Sequence, residues 1–117
     1  MSTNMKLKEL VSHLVIAPRK LTEYALNLDN PVGSDKAVIF QRRLGFSQEN
    51  YELLLTQISA KILDAEAVLG LNDKHGQRYT LDLEIVGVQG QQGIVRTGWI
   101  VEPGSNGARL ITLFVRR

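Results

Sequence analysis

His75 is the residue whose chemistry comes forward first. An imidazole takes up and returns a proton near neutral pH, and this one sits in the run Lys74-His75-Gly76-Gln77-Arg78, between an ammonium and a guanidinium. Proton transfer beside cations suits reactions in which negative charge builds on a substrate oxygen or phosphate. Arg78 presents a planar fork that matches phosphate or carboxylate, and Lys74 adds a compact point charge. Arg96 lies inside an otherwise apolar stretch, 94–101, where a charge is costly unless it faces a partner or a wet groove. Thr112, among Leu110, Ile111, Leu113 and Phe114, offers a hydroxyl to a substrate oxygen. Lys36 falls on the first turn of a predicted helix, where positive charge is mildly disfavoured, so its presence points to an anion held there. Trp99 offers a ring on which a base can stack. Each has a structural alternative: a solvated turn for His75, a pair with Asp73 or Asp82 for Arg78, strand filling for Thr112 and core packing for Trp99.

Such side chains need elements to hold them. Residues 79–85 alternate apolar and polar, the period of a strand with one face buried, and the predicted strand runs over 79–88. Gly87, Gly90 and Gly93 turn the chain into a central strand at 94–101, and Pro103-Gly104-Ser105-Asn106-Gly107 leads to a last strand at 108–115. Residues 65–71 suit a first or edge strand better than a helix extension, which makes Asn72-Asp73-Lys74-His75-Gly76 a hairpin loop. Upstream, Leu7, Leu10, Val11, Leu14 and Val15 follow a helical spacing, with an extended Val15-Ile16-Ala17 as the variant ending. Pro18 opens a second helix to about Leu28, and the turn dipeptides Asn30-Pro31 and Val32-Gly33 follow. A third helix, about 35–44, buries Ala37, Phe40 and Leu44 and stops at Gly45. Ser47 and Asn50 start a fourth that reaches about Leu63. The expected architecture is α+β: N-terminal helices packed on one face of a C-terminal three- to four-stranded antiparallel sheet. One domain is expected over 1–117, helical over 5–64 and sheet over 65–117.

The totals narrow the classes. At 117 residues, 44% apolar and 22% charged, the chain can bury a core without staples. It has no cysteine, which excludes disulfides and thiolate zinc sites. With two histidines and no ligand spacing, no metal and no cofactor are expected. No run approaches a membrane span, and the N-terminus lacks the order of a secretory signal, so a cytoplasmic location without membrane contact is expected. The net charge of +2 falls entirely in the second half: residues 1–70 hold eight Lys/Arg and eight Asp/Glu, residues 71–117 six and four. That second half is rich in arginine, including the terminal Arg116-Arg117.

Several of these stretches carry a family resemblance. The runs Pro18-Arg19-Lys20-Leu21-Thr22-Glu23-Tyr24-Ala25-Leu26-Asn27, Asn30-Pro31-Val32-Gly33-Ser34-Asp35-Lys36-Ala37 and Leu44-Gly45-Phe46 resemble an uncharacterised bacterial domain-of-unknown-function family. So do Lys74-His75-Gly76-Gln77-Arg78-Tyr79 and Trp99-Ile100-Val101-Glu102-Pro103-Gly104. Members of that family stand beside a small partner gene or at the C-termini of large secreted toxins. The resemblance implies a toxin-like module, similar in element order to the barnase, colicin and RelE ribonucleases, with a small antitoxin or immunity protein as partner. One departure is His75, where relatives often carry an aromatic.

On that resemblance the expected activity is metal-independent endoribonuclease cleavage by 2′-hydroxyl attack. RNA is then the substrate, and no DNA sequence readout is expected. His75, Arg78, Arg96 and Thr112 are the catalytic candidates, and Lys36, Lys74 and Trp99 the substrate-binding ones. The rival reading is a non-catalytic protein-interaction module that docks through the exposed sheet face or edge.

Overall fold

The alternation at 79–85 places Leu81, Leu83 and Ile85 on one face of a strand, and all three are buried. The computed structural model describes residues 5–31 and 34–116. The predicted Val32-Gly33 turn and the terminal Arg117 lie outside the described residues.

Six strands form one sheet: β1 (Met5–Lys6), β2 (His13–Val15), β3 (Glu66–Asp73), β4 (Gly76–Val86), β5 (Gln92–Val101) and β6 (Gly107–Val115). Their order is β1-β3-β4-β5-β6-β2, antiparallel throughout except for β2, which runs parallel to β6. The sheet curls into a half-barrel. One face is packed with Leu81, Val95, Thr97, Trp99, Leu110 and Leu113. Two helices, α1 (Ser34–Leu44) and α2 (Tyr51–Lys61), and a π-helix at Lys20–Ala25 cover that face with Phe40, Leu44, Leu54, Ile58, Leu21 and Ala25. The other, open face carries Arg78, Thr80, Asp82, Glu84, Arg96, Arg109 and Thr112, with Ile100 buried among them.

The expected arrangement of N-terminal helices on a three- to four-stranded antiparallel sheet is therefore wrong. The chain is mostly β, and its N-terminal segment supplies strands at both ends of a six-stranded mixed sheet. In place of a helix from Lys6, a single 3-10 turn (Leu7–Glu9) separates two short strands. The apolar spacing there has another cause. Leu7 and Val11 each dip into the core, while the backbone finds its partners far along the chain. Leu7 N–H donates to Ala65 O at 3.0 Å and Ser12 N–H to Asn106 O at 2.8 Å. The Ser12 bond satisfies a group that a helix would have satisfied locally, whereas Leu7 N–H, in the first turn of such a helix, would have had no partner within it.

The second predicted helix, Pro18 to about Leu28, is reduced to the π-helical segment Lys20–Ala25, and Tyr24 and Leu28 are exposed. Helix α1 matches its expected burial of Ala37, Phe40 and Leu44, and Gly45 ends it at φ +77°. Ahead of α2, Ser47 N–H donates to Asn50 Oδ1 at 2.8 Å, the bond expected of that start.

Candidate functional site

The hairpin joining β3 to β4 is tight, because Asp73 pairs directly with Gly76 and leaves only Lys74 and His75 in the loop. Asp73 Oδ1 accepts from His75 N–H at 2.9 Å and fixes the turn. Gly76, at φ +132°, lies so close to Val101 O that no side chain fits. The hairpin tip is thereby held over the end of β5.

Beside it, Arg78 pairs with Ile100 and Ile100 with Arg109, so the two arginines stand in one row across the open face. Two strand spacings, roughly 10 Å, separate their backbones, within reach of two long side chains. Lys74, His75, Arg78, Arg109, Ile100 and Glu102 line one hollow of about 440 Å³. Arg109 Nε meets Glu102 Oε1 at 3.1 Å, an exposed pair that holds the side chains only loosely. Lys74 and Arg78 are in no ion pair among the described residues. Arg78 Nε is buried without a hydrogen-bond partner, the one such side-chain atom among the described residues. Cation outweighs carboxylate here, and the donors suit an oxyanion.

Arg96 belongs elsewhere. It grips Asp82 in a fork, Nε to Oδ1 at 2.9 Å and Nη2 to Oδ2 at 3.1 Å, and Arg116 Nη1 adds a third bond to Oδ2 at 2.9 Å. The hydrogen bond from Arg96 holds the Asp82 carboxyl below the usual carboxylate range; partial burial opposes this, and the charges of Arg96 and Arg116 reinforce it. Asp82 is four residues along β4 from Arg78, roughly 13 Å. Arg96 lines a separate hollow with Ala65, Glu66, Val68, Thr80 and Asp82.

Thr112 and Lys36 come together in another place. Lys36 Nζ donates to Thr112 Oγ1 at 3.3 Å and lies 5.3 Å from the centre of the Phe114 ring. Trp99 is fully buried, and its indole N–H donates to Thr97 Oγ1 at 2.7 Å. The seven sequence candidates thus divide: Lys74, His75 and Arg78 share one hollow, Lys36 and Thr112 a second, Arg96 a third, and Trp99 faces the core.

Arg109 and Glu102 are additions that sequence reasoning missed. Strict alternation puts Arg109 and Thr112 on opposite faces of the last strand. A bulge in β6 changes that: the register slips between Gly98 and Trp99, leaving Ile111 as the extra residue. Burial follows the slip, with Leu110 and Leu113 in the core and Arg109, Ile111, Thr112 and Phe114 on the other side. No residue type in the run announces the bulge.

The fold is shared with a solved protein. A chain of a contact-dependent growth inhibition toxin–immunity protein complex from Klebsiella pneumoniae 342 superposes with a TM-score of 0.70 at 14% identity, over 93% of this chain and 98% of that one. At that identity the likeness is one of fold. No curated protein matches the sequence. The chain belongs to the family described as a domain of unknown function, DUF6883, which matches residues 6–117.

Proposed function

We propose that this is a toxin-type domain of a growth-inhibition toxin–immunity pair, acting as a metal-independent endoribonuclease at the Lys74–His75–Arg78–Arg109 hollow. The observation that carries the reading is that hollow: an imidazole on a rigid hairpin tip, three cations and one carboxylate. The fold shared with a chain from a toxin–immunity complex supports the toxin half of the proposal.

In the proposed reaction the ribose 2′-oxygen attacks phosphorus and forms a new P–O bond. The bond to the 5′-oxygen breaks, leaving a 2′,3′-cyclic phosphate and a 5′-hydroxyl. Arg78, Arg109 and Lys74 hold the phosphate as negative charge gathers on its oxygens. His75 gives a proton to the departing 5′-oxygen, and the 2′-hydroxyl proton goes to Glu102, the carboxylate of the same hollow, which is paired with Arg109 in the free protein. A small immunity protein is the partner that silences the activity in the producing cell.

The test is incubation of purified protein with RNA in excess chelator. Cleavage products ending in cyclic phosphate are expected, with His75→Ala lowering the rate about 10²- to 10⁴-fold. Intact RNA, together with normal growth of cells that express the protein, removes the proposal.

A second reading has its own observation. Strand β3 exposes Val68, Leu69 and Leu71 at 51%, 70% and 60%, and only its first two residues are covered by β1. An exposed apolar edge of this kind suits strand addition by a protein partner. If the chain is a non-catalytic docking module, Leu69→Lys with Leu71→Lys abolishes partner binding while RNA stays intact with either form. An unchanged affinity for the immunity protein removes the edge as the docking surface.

A further inference from the structure

Strand β2 covers only the start of β6, pairing with Gly107, Ala108 and Arg109. Beyond that point the edge of β6 is flanked by the π-helix and the first turn of α1. Between them lies a hollow of about 180 Å³ lined by Lys20, Tyr24, Asn30, Lys36 and Thr112, with Ile111 in its wall.

Three features converge on it. The first is charge: two ammonium groups line the hollow and no carboxylate does, and neither lysine is in an ion pair among the described residues. The second is the π-helical turn, an uncommon conformation that recurs at functional sites; it sets Lys20 beside Tyr24, with Nζ 5.4 Å from the ring centre. The third is the β6 bulge, which turns Thr112 to the open face. There Gly98, lacking a side chain, makes room for it: a Cβ would fall 2.9 Å from Thr112 Cγ2. Lys36 Nζ already donates to the Thr112 hydroxyl, so an ammonium and a hydroxyl are aligned where an oxyanion can accept from both.

The hollow also adjoins the one assigned to chemistry, since Ile111 lines both. We propose that Lys20, Lys36 and Thr112 form a second phosphate-binding subsite. One phosphodiester of a single-stranded RNA rests there while the next, across Ile111, rests between Arg78 and Arg109. This deepens the ribonuclease reading and rests on it for the identity of the ligand. It assigns Lys36 and Thr112 to substrate positioning rather than to the reacting atoms.

The experiment is an amide NMR titration of the whole chain with a 2′-O-methyl RNA trinucleotide, which carries two phosphodiesters and cannot be cleaved. Shifts at 20–25 and 111–113 together with 74–78 are expected. Lys36→Gln weakens binding about tenfold while the 74–78 shifts persist at saturation. Loss of the cation also reduces the slope of log affinity against log salt by about 0.7, the value for one phosphate contact on a single strand. Shifts at 20–25 and 111–113 alone sustain the subsite and overturn the reading of the His75 hollow. Shifts at 74–78 alone overturn the subsite and leave that reading standing. No shift at either overturns both. Because the wild-type titration decides between these outcomes, a misfolded variant does not obscure them.

Discussion

Thr97 is the one fully buried polar side chain among the described residues, and it links two partners inside the sheet. Its hydroxyl donates to Leu81 O at 2.7 Å and accepts from the Trp99 indole N–H at 2.7 Å. Thr97→Val keeps the shape and the β-branched backbone preference but removes both bonds. The indole N–H is then buried with no acceptor, at a cost of about 1–3 kcal/mol. For 117 residues the unfolding entropy near the midpoint is about 0.25 kcal/mol per kelvin, so a 2 kcal/mol loss lowers Tm by about 8 °C. Thermal unfolding followed by far-UV circular dichroism reads this in every variant, including those without the chain's single tryptophan. Thr97→Ser, which keeps the hydroxyl, loses less. The decisive control is Trp99→Phe: with the donor gone, adding Thr97→Val costs distinctly less than it does alone. A Thr97→Val midpoint within about 2 °C of the wild type, or equal cost in both backgrounds, refutes the argument that Trp99 is held by this bond.

Three other outcomes test particular residues. Gly76→Ala meets Val101 O and holds an alanine at φ +132°; it lowers stability by about 3 kcal/mol or more, and an unchanged urea midpoint contradicts the tight hairpin. Asp82, its carboxyl held low chiefly by Arg96, stabilises the fold above the ordinary carboxylate range, and that contribution fades as pH falls through the depressed value. The gap in urea midpoint between wild type and Asp82→Asn therefore narrows as pH falls through and below the ordinary carboxylate range of about 4, and a constant gap refutes the ion-pair account. Arg96→Ala leaves RNA cleavage within about twofold of wild type if Arg96 serves only that pair, whereas a loss of about 10²-fold brings it into catalysis.

Much of the sheet was legible because its signals are local. Period-two alternation marks β4, and glycine and proline clusters mark the turns on either side of β5. The capping pair Ser47 and Asn50 and the stop at Gly45 do the same for α1 and α2. The two N-terminal strands were not legible, for a physical reason. Strands of two and three residues carry no period of their own, and the residues they pair with, Glu66 and Ala67 on β3 and Gly107 to Arg109 on β6, lie far along the chain. The amphipathic spacing of Leu7, Leu10 and Val11 is shared by a helix and by an irregular segment that touches the core twice. Propensity cannot separate those two.

The candidate site divides along the same line. Lys74, His75 and Arg78 share a hollow because they fall within a run of five residues around a two-residue turn, a local fact. Whether Arg96 shared it depended on Asp82, fourteen residues upstream on the neighbouring strand, taking up the guanidinium. Arg109 reaches the hollow only through register: β4, β5 and β6 must pair so that Arg78, Ile100 and Arg109 fall in one row. Thr112 shares that face only because Ile111 is inserted between it and Leu110. A one-residue slip on a strand exchanges its faces, so this bulge, which no residue type in β6 encodes, decides that one strand can offer a cation to the first hollow and a hydroxyl to the second. That is why the bulge, rather than any single side chain, is the feature on which the proposed two-phosphate grip depends.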